Sequence, residues 1–251
     1  MGSARFDYAS DMTLQQSGSC PRRRVLACGL LCACLALPGV AADVPDDPAA
    51  WLESDAELHA PAVNEGELEF LAELPERRVL HTSNWLTIGP ASLSTGWVAL
   101  RQCQSNLDPV DRVEIVYRYQ AMRNLRVLSS RGVGSARIVD GAVQMTQVRA
   151  DAAVCIAAEV QVLRQELEGR YVLQSGPFHR RFLDGYYPVR LDYRVEYPSS
   201  LLVIESIQPA AQPGFDVGAD PGRVQIDALF EGRLTIRLVL RRAALLDPLL
   251  E

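Results

Sequence analysis

"PFHRRFLDGYYPVRLDYRVEYP", Pro177 to Pro198, decides the fold class. In its second half apolar and polar side chains alternate. Tyr187, Val189, Leu191, Tyr193, Val195 and Tyr197 fall on one face of an extended chain, and Arg190, Asp192, Arg194 and Glu196 on the other. A period of two marks a half-buried strand, because successive side chains point to opposite sides. Asp184-Gly185 is a two-residue hairpin signal, since a type I′ turn needs positive φ at both central residues. It sets Leu183 opposite Tyr186 and Phe182 opposite Tyr187. Arg180 and Arg181 then point to opposite faces, which weakens any reading of the pair as a phosphate clamp. Pro188 cannot donate to a ladder and favours an edge.

The same pattern extends outward. In "GRLTIRLVLRR", Leu234, Ile236, Leu238 and Leu240 alternate with Thr235, Arg237, Val239 and Arg241. "WVALRQC", "VEIVYRY", "LRVLSS" and "VCIAAEVQVL" are β-branched or apolar runs that fit strands. Turn chemistry separates them. Asp140-Gly141 is a second two-residue hairpin signal, Glu168-Gly169 and Glu231-Gly232 suit hairpins with a bulge, and Asp220-Pro221-Gly222 suits a tight turn. Many short strands without a long amphipathic helix between them predict an all-β, antiparallel sandwich. Helical turns are expected only at 48–58, 66–74 and 242–250. The body divides into two expected sandwich domains, 77–176 and 177–251.

The N-terminus predicts export. Arg22, Arg23 and Arg24 precede "VLACGLLCACLALPGVAA", which is too short and proline-interrupted for a membrane span. Charged, apolar and small-residue regions in that order make residues 1–42 a signal peptide with an N-terminal extension, cut after Ala42. "LCAC", Leu31 to Cys34, is the rival signal, a lipidation site at Cys34 that would leave a membrane-anchored lipoprotein. Either start places the body in the periplasm or outside the cell. The mature chain keeps Cys103 and Cys155, an even pair that reads as a disulfide in an oxidising compartment, with Cα atoms about 5–6 Å apart.

All 25 basic residues are arginine. Residues 43–76 carry eleven acidic residues and no arginine, whereas 77–251 carry 18 acidic and 21 basic ones. An acidic arm or linker thus precedes a slightly basic body. No basic stripe with interleaved aromatics speaks for nucleic acid. The three histidines, His59, His81 and His179, lack HxH or HExxH spacing, so no metal or other cofactor is expected. There is no GxSxG elbow, and "GVGSAR" lacks the glycine and the helix of a phosphate loop.

These observations predict an exported, non-catalytic module that binds an envelope protein partner or serves assembly. A sandwich binding a small ligand or glycan is the first alternative, with Arg180, Arg181, Tyr186 and Tyr187 as the candidate surface. A periplasmic hydrolase is the second. It requires His81 or His179 within hydrogen-bond reach of a Ser, Asp or Glu in a cleft.

Overall fold

The computed structural model describes residues 3–8, 64–76, 78–166, 169–182 and 185–243. Most of the signal segment, Cys34, the arm from 43 to 63, the helical turn expected at 48–58, Leu183 and Asp184, and residues 244–251 lie outside the described residues. Residues 64–243, with the N-terminal strand, belong to one compact unit.

The all-β expectation holds: three sheets and a small hairpin carry the described chain, and one helical turn, Ser92–Thr95, closes on Gly96. The largest sheet has the order β16 (Phe215–Asp220), β17 (Arg223–Glu231), β14 (Val189–Glu196), β3 (Leu80–Thr87), β4 (Trp97–Ser105), β9 (Ala153–Gln161) and β6 (Met122–Arg131). A two-residue β2 (Glu69–Phe70) pairs with β17 and makes the eighth strand. A second sheet runs β10 (Leu163–Gln165), β11 (Arg170–Phe178), β18 (Leu234–Arg242), β15 (Leu202–Gln208). A third runs β1 (Ser3–Tyr8), β5 (Val110–Tyr117), β8 (Ala142–Val148), β7 (Ser135–Val139). β12 (Arg180–Phe182) and β13 (Gly185–Tyr187) form the hairpin.

The alternation in the quoted stretch is the alternation of burial. Val189, Leu191, Tyr193 and Val195 are buried, while Arg190, Asp192 and Arg194 are half-buried and Glu196 is exposed. The inner face meets the second sheet: the Tyr193 hydroxyl lies 2.7 Å from Ser175 Oγ on β11, and Phe178 packs edge-on against the Tyr193 ring. One hydrophobic cluster joins all three sheets, with Leu100 and Ile226 from the first, Leu173 and Leu238 from the second, and Ile115 and Met145 from the third.

Turn chemistry is read correctly at Asp140-Gly141. Both residues have positive φ, and Val139 faces Ala142 across them. At Asp220-Pro221-Gly222 the chain turns from β16 into β17, with Asp220 opposite Arg223.

Elsewhere the sequence expectation needs correction. Residues 66–74 form no helical turn; they supply β2, whose Phe70 packs on Phe215 at 5.1 Å between ring centroids. Glu231-Gly232 makes no hairpin, because β17 and β18 lie in different sheets and the chain crosses between them there. In the β12–β13 hairpin Phe182 faces Gly185, and Arg181 faces Tyr186, so the register is displaced by two from the one an Asp184-Gly185 turn predicts, with the same number of residues between the strands. A shift of two preserves the faces, and Arg180 and Arg181 still point apart. β14 also pairs with β3 in parallel, Val189 opposite Leu80 through Glu196 opposite Thr87, so the main sheet is not wholly antiparallel. This pairing carries the sheet across residue 176.

Cys103 and Cys155 are bonded. They face each other across β4 and β9 with Cα atoms 4.1 Å apart, closer than expected. The short distance fits a non-hydrogen-bonded antiparallel pair, where opposing Cα atoms approach to about 4.5 Å.

Candidate functional site

The outer face of the main sheet, opposite the core, forms a groove of about 1030 Å³. Cross-strand register arranges its side chains in rows perpendicular to the strands. Arg194 on β14 pairs with Trp85 on β3, Trp85 with Arg101 on β4, Arg101 with Ala157 on β9, and Ala157 with Arg126 on β6. One row therefore reads Arg–Trp–Arg–Ala–Arg across five adjacent strands. The next row reads Glu196, Thr87, Ala99, Glu159 and Arg123.

The two rows differ in how far they are neutralised. Glu159 accepts from Arg123 and Asn124. Arg101 lies over the Trp85 ring at 5.3 Å, and both residues line the groove. Among the described residues neither Arg101 nor Arg194 has an ion-pair partner, and the buried Arg194 Nε has no hydrogen-bond acceptor. Buried donors of this kind are costly unless met by water or a ligand. Ala99, Ala157, Leu125 and Leu128 supply apolar lining between the charges.

His81 lies on the same outer face of β3, four residues before Trp85 and so about 13 Å along the strand. Its Nε2 is 2.8 Å from Asp192 Oδ2, and the Ser83 hydroxyl donates to that same oxygen at 3.3 Å. In the neutral ring, Nε2–H donating to Asp192 leaves Nδ1 as the acceptor. A carboxylate thus orients an imidazole. Ser83 lies 3.5 Å from the same Nε2 rather than beside Nδ1, so it is not placed as the nucleophile of a serine triad.

The residues singled out from the sequence lie elsewhere. Arg180 is buried, donates to Asp108 at 2.6 Å, and sits over the rings of Phe182 and Tyr187. Tyr186 is buried against His179 and Gly66, and its backbone N–H donates to the Asn64 carbonyl. Gly66 has φ +123° and leaves no room for a Cβ beside the Tyr186 ring. Arg181 is exposed and lies over the Tyr186 ring at 5.6 Å. The hairpin's side chains take part in packing and in the Arg180–Asp108 ion pair, and the groove residues Trp85, Arg101, Arg126 and Arg194 form a separate set. Their outward placement follows from strand alternation, but their alignment needs the register of five strands.

No protein-family model and no curated protein matches the chain. Among solved structures it is similar to the M1 zinc metallopeptidase of Deinococcus radiodurans in a mutant bound to a Tyr-Ser-Ala substrate, at 14% identity and a TM-score of 0.35, over 72% of this chain and 44% of that one. It is also similar to Legionella pneumophila aminopeptidase A in complex with aspartic acid, at 9% identity and a TM-score of 0.32, over 70% and 23%. The chain spans less than half of each. Likeness of this degree assigns no activity. The expectation that the protein is no enzyme is corrected against these two structures, both of which are peptidases. The reading as a non-catalytic interaction or assembly module is withdrawn with it. Among the described residues no group of three or more His, Cys, Asp or Glu side chains is placed to share a metal ion. No helix among them is long and apolar enough to cross a membrane.

Proposed function

We propose that the protein works outside the cytoplasm and binds short, carboxylate-bearing peptides in the groove on the outer face of its main sheet. The observation that carries this reading is the Arg194–Trp85–Arg101 row, two guanidinium groups without ion-pair partners among the described residues flanking an indole. Guanidinium forks suit carboxylates, and their mixture with apolar lining and with Glu159 and Glu196 suits a peptide better than a uniformly anionic glycan. Sugar rings favour an open aromatic face, and Arg101 covers one face of Trp85. The signal-like N-terminus and the Cys103–Cys155 bridge support export. Titration calorimetry with acidic heptapeptides tests the reading. Replacing both Arg101 and Arg194 by Gln should weaken binding at least about tenfold, or 1.4 kcal/mol. Unchanged affinity in that variant would reject the groove as the site.

His81 supports a second reading, hydrolysis of the bound ligand. Asp192 orients the imidazole, and His81 Nδ1 would act as general base toward a water molecule. Slow cleavage of a bound peptide, seen by mass spectrometry and abolished in His81→Ala with binding intact, is the expected result. Equal cleavage by that variant would reject the role.

A further inference from the structure

The groove's main row has a repeat that names a ligand conformation. Arg194, Arg101 and Arg126 occupy the first, third and fifth of five adjacent strands in one cross-strand row. Neighbouring strands lie about 4.8 Å apart, so successive arginines recur about every 9.6 Å. A ligand lying along the row would match all three if its anionic groups recurred at that interval on one side. An α-helix repeats every 5.4 Å. A β-extended peptide returns to the same side every two residues, about 6.7 Å. A polyproline II helix has three residues per turn and about 3.1 Å of rise per residue, so it returns about every 9.3 Å. Only the last fits the arginine repeat.

We infer that the groove recognises peptides in the polyproline II conformation that carry acidic side chains at every third position. This rests on the reading of the groove as a peptide site and adds the ligand's backbone form and charge spacing. Trp85 lies between Arg194 and Arg101, where the residues between two acidic positions would pass. Aromatic side chains lining a groove are the usual partners of such proline-rich segments. Arg126, on β6 at the edge of the sheet, is the outermost anchor. It should be reached only by a peptide long enough to present a third acidic residue.

Two peptides of one composition and charge separate spacing from charge. Asp-Pro-Pro-Asp-Pro-Pro-Asp places its carboxylates on one side of the helix. Asp-Pro-Asp-Pro-Asp-Pro-Pro distributes them around it. Calorimetry on the full mature chain should find the first at least about tenfold tighter. Arg126→Gln should weaken the seven-residue peptide and leave the four-residue Asp-Pro-Pro-Asp unaffected, with unchanged circular dichroism. Equal affinity for the two heptapeptides, with both lost in the Arg101→Gln, Arg194→Gln double variant, would overturn the spacing inference and retain the groove as a peptide site. Failure of both peptides to bind, or binding that survives the double variant, would overturn the spacing inference together with the site itself.

Discussion

Tyr193 shows how much a single residue reveals before the fold is known. Alternation puts its side chain on the apolar face of β14, and it is fully buried. What alternation cannot show is its partner, Ser175, on another sheet. Tyr193→Phe should cost about 1 kcal/mol near neutral pH through loss of that hydrogen bond. Burial raises the Tyr193 phenol far above its ordinary value, against a smaller lowering by the Ser175 bond and with a still smaller raise from the nearby Tyr119. The unfolded chain releases this proton near pH 10 while the folded one keeps it. Stability from the buried neutral phenol is therefore complete below about pH 10 and falls as pH rises beyond it. Denaturant titrations should show the gap between wild type and Tyr193→Phe narrowing above pH 10; a constant gap would contradict the assignment. Arg180 teaches the opposite lesson. Its charge and its Asp-Gly neighbourhood mark it as surface, yet it is buried and pairs with Asp108, 72 positions away in sequence.

Among the elements, strands with strong alternation and turns with forced φ were readable, and pairings between distant strands were not. β14 and β18 follow from side-chain period, and the β7–β8 hairpin from Asp140-Gly141. The pairing of β3 with β14 joins residues about a hundred positions apart and has no local signal. β2 was misread because its one apolar residue, Phe70, is half-buried through pairing with β17 and packing on Phe215, partners far off in sequence. The disulfide pair was readable from compartment and count, but not its position directly across two neighbouring strands. Those strands already pair over nine residues, so the bridge should act chiefly on the unfolded chain. Closing a loop with a sequence separation of 52 corresponds to about 4 kcal/mol on the chain-entropy model. Replacing both cysteines by Ala should lower stability toward that extent while leaving peptide affinity in the groove intact. A large loss of affinity at full foldedness would mean that the bridge shapes the groove floor.

At the scale of the whole molecule, the same β3–β14 pairing governs both stability and the candidate site. It places strands from residues 77–176 and 177–251 side by side in one sheet, and the core cluster draws on both segments. Arg194 comes from the later segment, while Trp85, Arg101 and Arg126 come from the earlier one, so the row of arginines exists only when the shared sheet is complete. Alternation placed Arg194 on the outer face in the sequence, but not Trp85, Arg101 or Arg126, and the alignment of the four depends on four successive registers. Unfolding should accordingly be one cooperative transition, with tryptophan fluorescence and far-ultraviolet circular dichroism giving coincident denaturant curves. A chain ending at residue 176 would lack β14 and β17, expose the side of β3 that β14 covers, and lose the inner face of Tyr193. It should neither fold cooperatively nor bind the acidic heptapeptide. A truncated chain that melts cooperatively would show that the earlier segment is a domain in its own right. Two separated transitions in the intact protein would point the same way, leaving the shared sheet as a contact between two folding units.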